Sequence, residues 1–340
     1  MNRRLNIAVV GATGAVGETM LTVLEERDFP VDNLYPLASS RSVGKTVSFN
    51  NYDLDVEDLA AFDFSKADIA LFSAGGAVSK EYAAKAVEAG CVVVDNTSCF
   101  RYDDDIPLVV PEVNPQRISE YKKRGIIANP NCSTIQMVVA LKPLHDAVGI
   151  KRINVTTYQA VSGTGKKAVQ ELIHQLGELL NGRPIKSSVY PKQIAFNVLP
   201  HIDEFQENGY TREEMKMVWE TKKIMEDDSI LVNPTTVRVP VLYGHSEAIH
   251  LELKEPMTAA TARKLLTKAP GVKVVDAPGK LQYPTAITHA VGHDEVFVGR
   301  IRQDISHPNG LNLWVVADNI RKGAATNAVQ IAEILHRDYL

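Results

Sequence analysis

At 340 residues, 45% of them hydrophobic and 23% charged, the chain has the composition of a soluble globular protein long enough for two domains with separate cores. Its formal net charge of −4 is spread without long single-sign blocks, which argues against nucleic acid as a partner. The opening MNRRLNIAVVGATG carries two arginines, but a glycine turn interrupts its apolar run before a signal-peptide core or membrane span could form, so a cytoplasmic protein with no membrane partner is expected.

From residue 5 to about 131 short β-branched runs alternate with helical stretches. LNIAVV, ADIALFSA, CVVVDNTS and GIIAN read as strands, with ETMLTVLEERD and KEYAAKAVEAG as helices between them. Continuous apolar strands separated by helices predict a parallel sheet covered on both faces, a Rossmann-like, doubly wound α/β domain. Gly11, Gly14 and Gly17 follow the first strand directly and open a helix. Glycines there permit a tight turn and bring backbone N–H groups close to a pyrophosphate, which a helix N-terminus favours electrostatically. After the second strand the chain reads YPLASSRSVGK, with Ser39, Ser40, Arg41 and Ser42 where an NAD-binding chain presents an acid to the ribose. Hydroxyls beside a guanidinium suit a 2′-phosphate, so NADP is the expected cofactor.

Three cysteines, Cys91, Cys99 and Cys132, fit neither a disulfide framework nor a zinc site, and no metal is expected. Cys91, inside CVVVD, reads as a core residue. Cys132 stands between the turn Asn-Pro-Asn and an apolar run that opens a helix, beyond the last strand of the nucleotide domain. The positive end of a helix favours thiolate, and the carboxyl ends of the strands are where a nicotinamide belongs. A thiol there predicts addition to an aldehyde, departure of hydride from the thiohemiacetal, and capture of the acyl thioester by a nucleophile.

After Cys132 the texture changes. GKKAVQELIHQLGELL predicts a long helix, and TVRVPVLYG, EAIHLELKE, EVFVGRIRQD and LNLWVVADN predict strands of a mixed, largely antiparallel sheet with one face free for other contacts. SGTGKK at 162–167 lacks phosphate-loop spacing. VRVPVLYGHSE sets Arg238 and His245 on either side of a strand turn, offering a substrate anchor and an acid/base. The last stretch, NIRKGAATNAVQIAEILHRDYL, predicts a helix that packs back on the first domain. The expected division is therefore 1–131, completed by a helix over 320–340, and 132–319.

From VVGATGAVG through NPNCSTIQ, YQAVSG, EEMK and VRVPVLYGHSE to VADNIRKGAA, the chain resembles bacterial aspartate-β-semialdehyde dehydrogenases over essentially its whole length. The resemblance implies NADP-dependent interconversion of L-aspartate 4-semialdehyde plus phosphate with L-4-aspartyl phosphate, toward lysine, methionine and threonine. It implies that Cys132 is the nucleophile, Gln159 orients substrate, His245 is the acid/base, Arg238 pairs with the α-carboxylate, and Glu213 or Glu214 meets the ammonium. Arg101 and Lys216 would hold phosphate. Thr13, Gly14, Ala15 and Val16 would meet the pyrophosphate, Arg41 and Ser42 the 2′-phosphate, and Ser162, Gly163 and Asn319 the nicotinamide half, with Ser73 and Ala74 as further cofactor contacts. Asn131 is a candidate donor to the thiohemiacetal oxygen. A homodimer through the second domain's sheet is also implied, and the compact segment over 182–210 is similar to the family's shorter, Gram-positive-type branch. Other acyl-phosphate reductases, such as N-acetyl-glutamyl-phosphate reductase, share the nucleotide domain and the thioester cysteine. A non-catalytic nucleotide-binding paralogue would be expected to lose the thiol or the histidine, and this chain keeps both.

Overall fold

A computed structural model describes residues 3–340; Met1 and Asn2 of the opening stretch lie outside the described residues. The chain divides into two compact units, one of the described residues up to Pro130 with Ala324–Leu340, the other Asn131–Gly323.

The first unit begins β1 (Leu5–Val10), α1 (Ala15–Glu26) and β2 (Val31–Ala38). A small hairpin, β3 (Thr46–Phe49) with β4 (Tyr52–Asp55), precedes the two-residue β5 (Glu57–Asp58). Then come β6 (Ile69–Phe72), α2 (Gly76–Glu88), β7 (Val92–Asp95) and β8 (Ile126–Ala128). The sheet order β5-β2-β1-β6-β7-β8 is parallel throughout. Its inner strands β6 and β7 are buried along their whole length, which is why they read as apolar runs. The order reverses between β1 and β6, and ligands of such sheets bind outside the strand ends at that crevice.

The second unit opens with α3 (Cys132–Val148) and β9 (Ile150–Gln159), followed by α4 (Lys166–Leu180) and α5 (Arg212–Met225). Next are β10 (Leu231–Arg238), β11 (His245–Leu253), α6 (Ala259–Lys268), β12 (Val272–Val274), β13 (Val296–Gln303) and β14 (Gly310–Ala317). They form a mixed sheet, β10-β9-β11-β14-β13-β12, in which only the two outer pairs are parallel. The strand expected over 236–244 instead runs Leu231–Arg238. Pro234 is tolerated there because β10 is an edge strand, and the chain leaves the sheet before Pro240.

Between α4 and α5 the chain runs for some thirty residues without a helix, pinned by two buried side chains of α4. Glu171 accepts the backbone N–H groups of Ser188, Val189 and Tyr190, and Gln175 Oε1 accepts those of Ile194 and Ala195 at 3.1 Å. Burial opposes ionisation of Glu171, but these donors overcome it and hold its carboxyl below the ordinary range.

The chain ends in a wide helical turn, Arg321–Ala325, and α7 (Thr326–Asp338). Ala328, Val329, Ile331, Ala332 and Leu335 of α7 join Leu5, Ile7, Met20 and Leu24 in one core. No helix among the described residues is long and apolar enough to cross a membrane.

Candidate active site

The glycine turn of the first unit is built for close approach. Gly11 takes φ +91°, and a Cβ on Gly17 would stand 2.2 Å from Gly11 O, so α1 rests directly on the turn. Gly14 at its N-cap supplies no side chain to the helix, which leaves the first amides of α1, those of Val16 and Gly17 among them, without a side-chain cap. Ala15 begins the helix, and Thr13 lies on the turn. Ser73 is tied to β1 by its backbone N–H, which donates to Val10 O at 2.8 Å, and Ala74 lies 3.0 Å from where a Cβ on Gly11 would stand. At the end of β2, Ser39, Ser40 and Arg41 are exposed and Ser42 half-buried in a single 3₁₀ turn, with no carboxylate in that turn. These features fit a dinucleotide: bare amides for a diphosphate and a cationic, hydroxyl-bearing turn at the ribose end.

Arg101, also in the first unit, is buried, and its Nη2 donates to Asn96 O at 2.9 Å. Arg124 reaches Asp103 and Asp105, at 3.3 and 3.2 Å. Cys91 lies in the core, and burial pushes its thiol up to about 12, consistent with the packing role expected of it. Cys99 donates its N–H to Thr97 Oγ1, and burial raises its thiol too.

In the second unit Asn131 caps α3, its Oδ1 accepting the Ser133 and Thr134 N–H groups at 3.0 and 3.4 Å. Cys132 is therefore the first residue of a 17-residue helix, half-buried at its electropositive end. Two carboxylates of α5 grip the residue before it: the Asn131 backbone N–H donates to Glu220 Oε2 at 2.6 Å and its side-chain amide to Glu213 Oε1 at 3.0 Å. Glu213 and Glu220 stand seven residues apart, two helical turns, on one face of α5. A methyl on Gly323 would lie 2.7 Å from Cys132 Cβ, so this glycine walls the thiol. Neither Glu220 nor Gly323 is evident as a site residue from sequence; the spacing of Glu220 from Glu213 was the available signal.

Gln159 ends β9, and its register partner on the neighbouring edge strand is Arg238. His245 starts β11 one step beyond the Ser246–Tyr158 pair and is itself paired with Ala317 on β14. Arg238, Gln159 and His245 thus form one row across the end of the sheet, all buried. Gln159 Nε2 donates to Glu213 Oε1 at 3.2 Å, the oxygen that also receives Asn131. Lys216 Nζ donates to Glu213 Oε2 at 3.1 Å and Asp203 Oδ2 at 2.7 Å. Burial opposes the charge on Glu213, but the Lys216 ammonium and these amides prevail and hold its carboxyl below the ordinary range.

The sequence offers Glu213 and Glu214 equally for a substrate ammonium, and the structure separates them. Glu214 closes a capping box with Thr211, accepting its N–H at 2.7 Å, and its other oxygen accepts Thr236 N–H at 3.0 Å. Both oxygens serve backbone, a structural task worth about 1 kcal/mol for such a cap. The spacing Thr211-x-x-Glu214 carried that signal.

Arg238 Nη1 donates to Ala160 O at 2.7 Å, while its Nε is buried without a protein partner. His245 Nδ1 accepts the Ala160 N–H at 3.0 Å, and its Nε2 is likewise unpartnered. A Cβ on Gly163 would stand 2.9 Å from Arg238 Nη1 and 3.2 Å from His245 Nε2. Ser162 and Asn319 bond to each other, and Asn319 Oδ1 accepts Gly244 N–H at 2.9 Å, which fixes the residue before His245.

Glu247, two residues after His245 and hence on the same face of β11, is fully buried. The Gln136 amide of α3 faces it without closing a well-formed hydrogen bond, and burial raises its carboxyl well above the ordinary range.

Residues 6–121 match the model of the semialdehyde dehydrogenase NAD binding domain, and residues 141–322 that of the semialdehyde dehydrogenase dimerisation domain. The chain is 78% identical to an aspartate-semialdehyde dehydrogenase of Legionella pneumophila, over all of this chain and 98% of that one. The chain belongs to the aspartate-semialdehyde dehydrogenase family. The two matched models describe a nucleotide-binding half and a dimerisation half, and the chain is an oxidoreductase of this family. A crystal structure of aspartate semialdehyde dehydrogenase II from Vibrio cholerae, complexed with ASA, is 60% identical with a TM-score of 0.98, covering 99% of this chain and 100% of that one. A Candida albicans aspartate semialdehyde dehydrogenase with NADP is 27% identical with a TM-score of 0.75, covering 98% of each chain.

Proposed function

We propose that the chain interconverts L-aspartate 4-semialdehyde plus phosphate and L-4-aspartyl phosphate through a thioester on Cys132, with NADP as cofactor. The observation that carries the substrate assignment is the pair of buried, unpartnered nitrogens, Arg238 Nε and His245 Nε2, on residues whose inner ends the missing Cβ of Gly163 leaves uncovered. A guanidinium with one edge spent on Ala160 O keeps another for a carboxylate, and Glu213 on α5 offers negative charge for an ammonium. A free α-amino acid bears both groups, whereas an N-acylated one lacks the cation. That favours the aspartyl substrate over an N-acetyl-glutamyl one.

Cys132 attacks the carbonyl carbon as thiolate, favoured by the amides at the start of α3. Gln159 and Asn131, both braced by Glu213, hold the reacting group beside it, and Lys216 with Arg101 meets the phosphate that releases the acyl group. When bound, the nicotinamide supplies the hydride acceptor or donor. Thr13, Gly14, Ala15, Val16 and Gly17 would hold its pyrophosphate, Ser39, Arg41 and Ser42 its 2′-phosphate, and Ser162, Gly163 and Asn319 its nicotinamide half. NADP is preferred to NAD because the turn after β2 presents Arg41 and no acid.

The outer face of the second unit's sheet is assigned to a second copy of the chain. Tyr158 packs against Trp314 there, tilted, with ring centroids 5.5 Å apart, beside a cavity of about 510 Å³ lined by Ser246, Ala248, His250, Tyr283 and Ile287. Exposed aromatic and aliphatic groups of this kind mark protein interfaces. An assay at 340 nm with aspartate semialdehyde, phosphate and NADP or NAD in parallel tests substrate, phosphate and cofactor together. Absence of phosphate-dependent NADPH formation, or turnover of an N-acylated semialdehyde instead, overturns the assignment.

A further inference from the structure

A single 3₁₀ turn, Val161–Thr164, joins β9 to α4, and hydrogen bonds to the loop before β11 and to Arg238 fix one edge of it. Val161 N–H donates to Val241 O at 2.9 Å, Ser162 N–H to Leu242 O at 3.2 Å, and Arg238 Nη1 to the carbonyl of the preceding Ala160 at 2.7 Å. The opposite edge meets Tyr190. Its hydroxyl stands 3.1 Å from Thr164 Oγ1 and 3.4 Å from Val161 O. A phenol has one hydrogen and two lone pairs, so it donates to the carbonyl and accepts from the threonine at once.

Tyr190 is itself held at two points. Its ring is buried with Val161, Ala168, Leu172, Ile194 and Leu199, and its backbone N–H donates to Glu171 Oε1 at 3.2 Å. Since α4, which carries Glu171, starts directly after the turn, the tyrosine closes a triangle of turn, helix and returning segment. Filling the core asks nothing of a hydroxyl, and a phenylalanine would serve. This one instead reaches the exposed rim at Thr164, next to Gly163, where a Cβ would stand 2.9 Å from Arg238 Nη1. Burial raises the phenol above its ordinary range, and the Arg238 charge opposes the rise, which sets the hydroxyl within electrical reach of the site.

We propose that Tyr190 is a positioning residue for the nicotinamide half of the cofactor: its hydroxyl sets where the turn carries Ser162 and Gly163, without touching cofactor or substrate itself. This rests on the assignment of Ser162 and Gly163 to that half. A turn tied along one edge is free to rock about it. A second tie on the opposite edge removes that freedom before the cofactor arrives, and the affinity gained is the ordering that binding no longer has to impose. Asn319 orients the Ser162 hydroxyl, and Tyr190 orients the backbone that bears it.

The test compares NADP with 2′,5′-ADP, which lacks the nicotinamide half, by isothermal titration calorimetry of the full chain. Tyr190→Phe is expected to weaken NADP about three- to tenfold, as for loss of one hydrogen bond, and to leave 2′,5′-ADP within about 1.5-fold. Equal weakening of both ligands, or of neither, overturns the proposal whatever happens to the melting temperature, which a packing role alone would move. Thr164→Val cuts the same tie from its exposed end and keeps the test decisive if Tyr190→Phe does not fold. It is expected to shift the ratio of the two Kd values in the same direction, and an unshifted ratio overturns the proposal. The double variant should weaken NADP no more than the stronger single change, because both remove one contact; losses that multiply overturn it. A wild-type chain that fails to reduce NADP with aspartate semialdehyde and phosphate sinks the proposed function and leaves the Kd ratio to decide this role. Turnover by the wild type alongside an unshifted ratio in the variants overturns the role of Tyr190 alone.

Discussion

Gly323 stands so close to Cys132 that an added methyl would lie 2.7 Å from its Cβ, nearer than two carbons can pack. Gly323→Ala must therefore push the thiol aside or shift the wide turn that carries it. Since a displacement of about 1 Å costs roughly 10²-fold in rate, kcat is expected to fall by that order while NADP affinity, measured by fluorescence titration, stays within about twofold. Wild-type kcat in Gly323→Ala would show that the thiol is not held from this side.

Arg41 is an exposed residue on the 3₁₀ turn after β2. Arg41→Ala is expected to weaken NADP by about tenfold or more, as for loss of a charge-assisted contact, and NAD hardly at all. The ratio of the two Kd values is the measurement, and equal weakening of both removes Arg41 from the 2′-phosphate.

Glu213 offers one oxygen to Asn131 and Gln159 and the other to Lys216. Because its carboxyl is held below the ordinary range, the stability it contributes is present above the unfolded value near 4.5 and is lost as the pH falls through the folded one. Acidification to about pH 5 therefore leaves it charged. Glu213→Gln should raise KM for aspartate semialdehyde by roughly tenfold or more at every pH from 6 to 9, with a smaller loss in kcat. An unchanged KM would detach Glu213 from the substrate's ammonium.

Glu247 has the opposite sign. Its folded carboxyl is raised, so both states are protonated below about pH 4 and the unfolded state alone ionises as the pH climbs, which erodes stability toward neutrality. Glu247→Gln, nearly isosteric, is expected to melt close to wild type at pH 4 and a few degrees, roughly 2–4 °C, above it at pH 7.5. A variant that melts lower at pH 7.5 would mean that the carboxylate is charged and paired in the fold.

Much of the first unit was legible because β6 and β7, buried on both faces, leave apolar runs. The row of Arg238, Gln159 and His245 was less so. β9 alternates buried residues with exposed Lys151, Arg152 and Tyr158, and β10 contains a proline, so neither strand announces itself, and the register that aligns their ends is a pairing between distant segments. Cys132 and its cap were readable from a local turn and helix start. Gly323 was not, because nothing near it in sequence says which side chain it must admit; nor was Glu247, whose raised carboxyl comes from burial by the whole unit.

Glu171 and Gln175 grip the chain over 188–195 by its amide hydrogens, with Ser188 Oγ as the one side chain among these donors to Glu171. A hold of that kind reads the path of the chain and is nearly blind to which residues follow it. The segment is therefore a place where substitutions can accumulate by drift while a single inserted residue between the two grips, by sliding the amides out of step, is selected against.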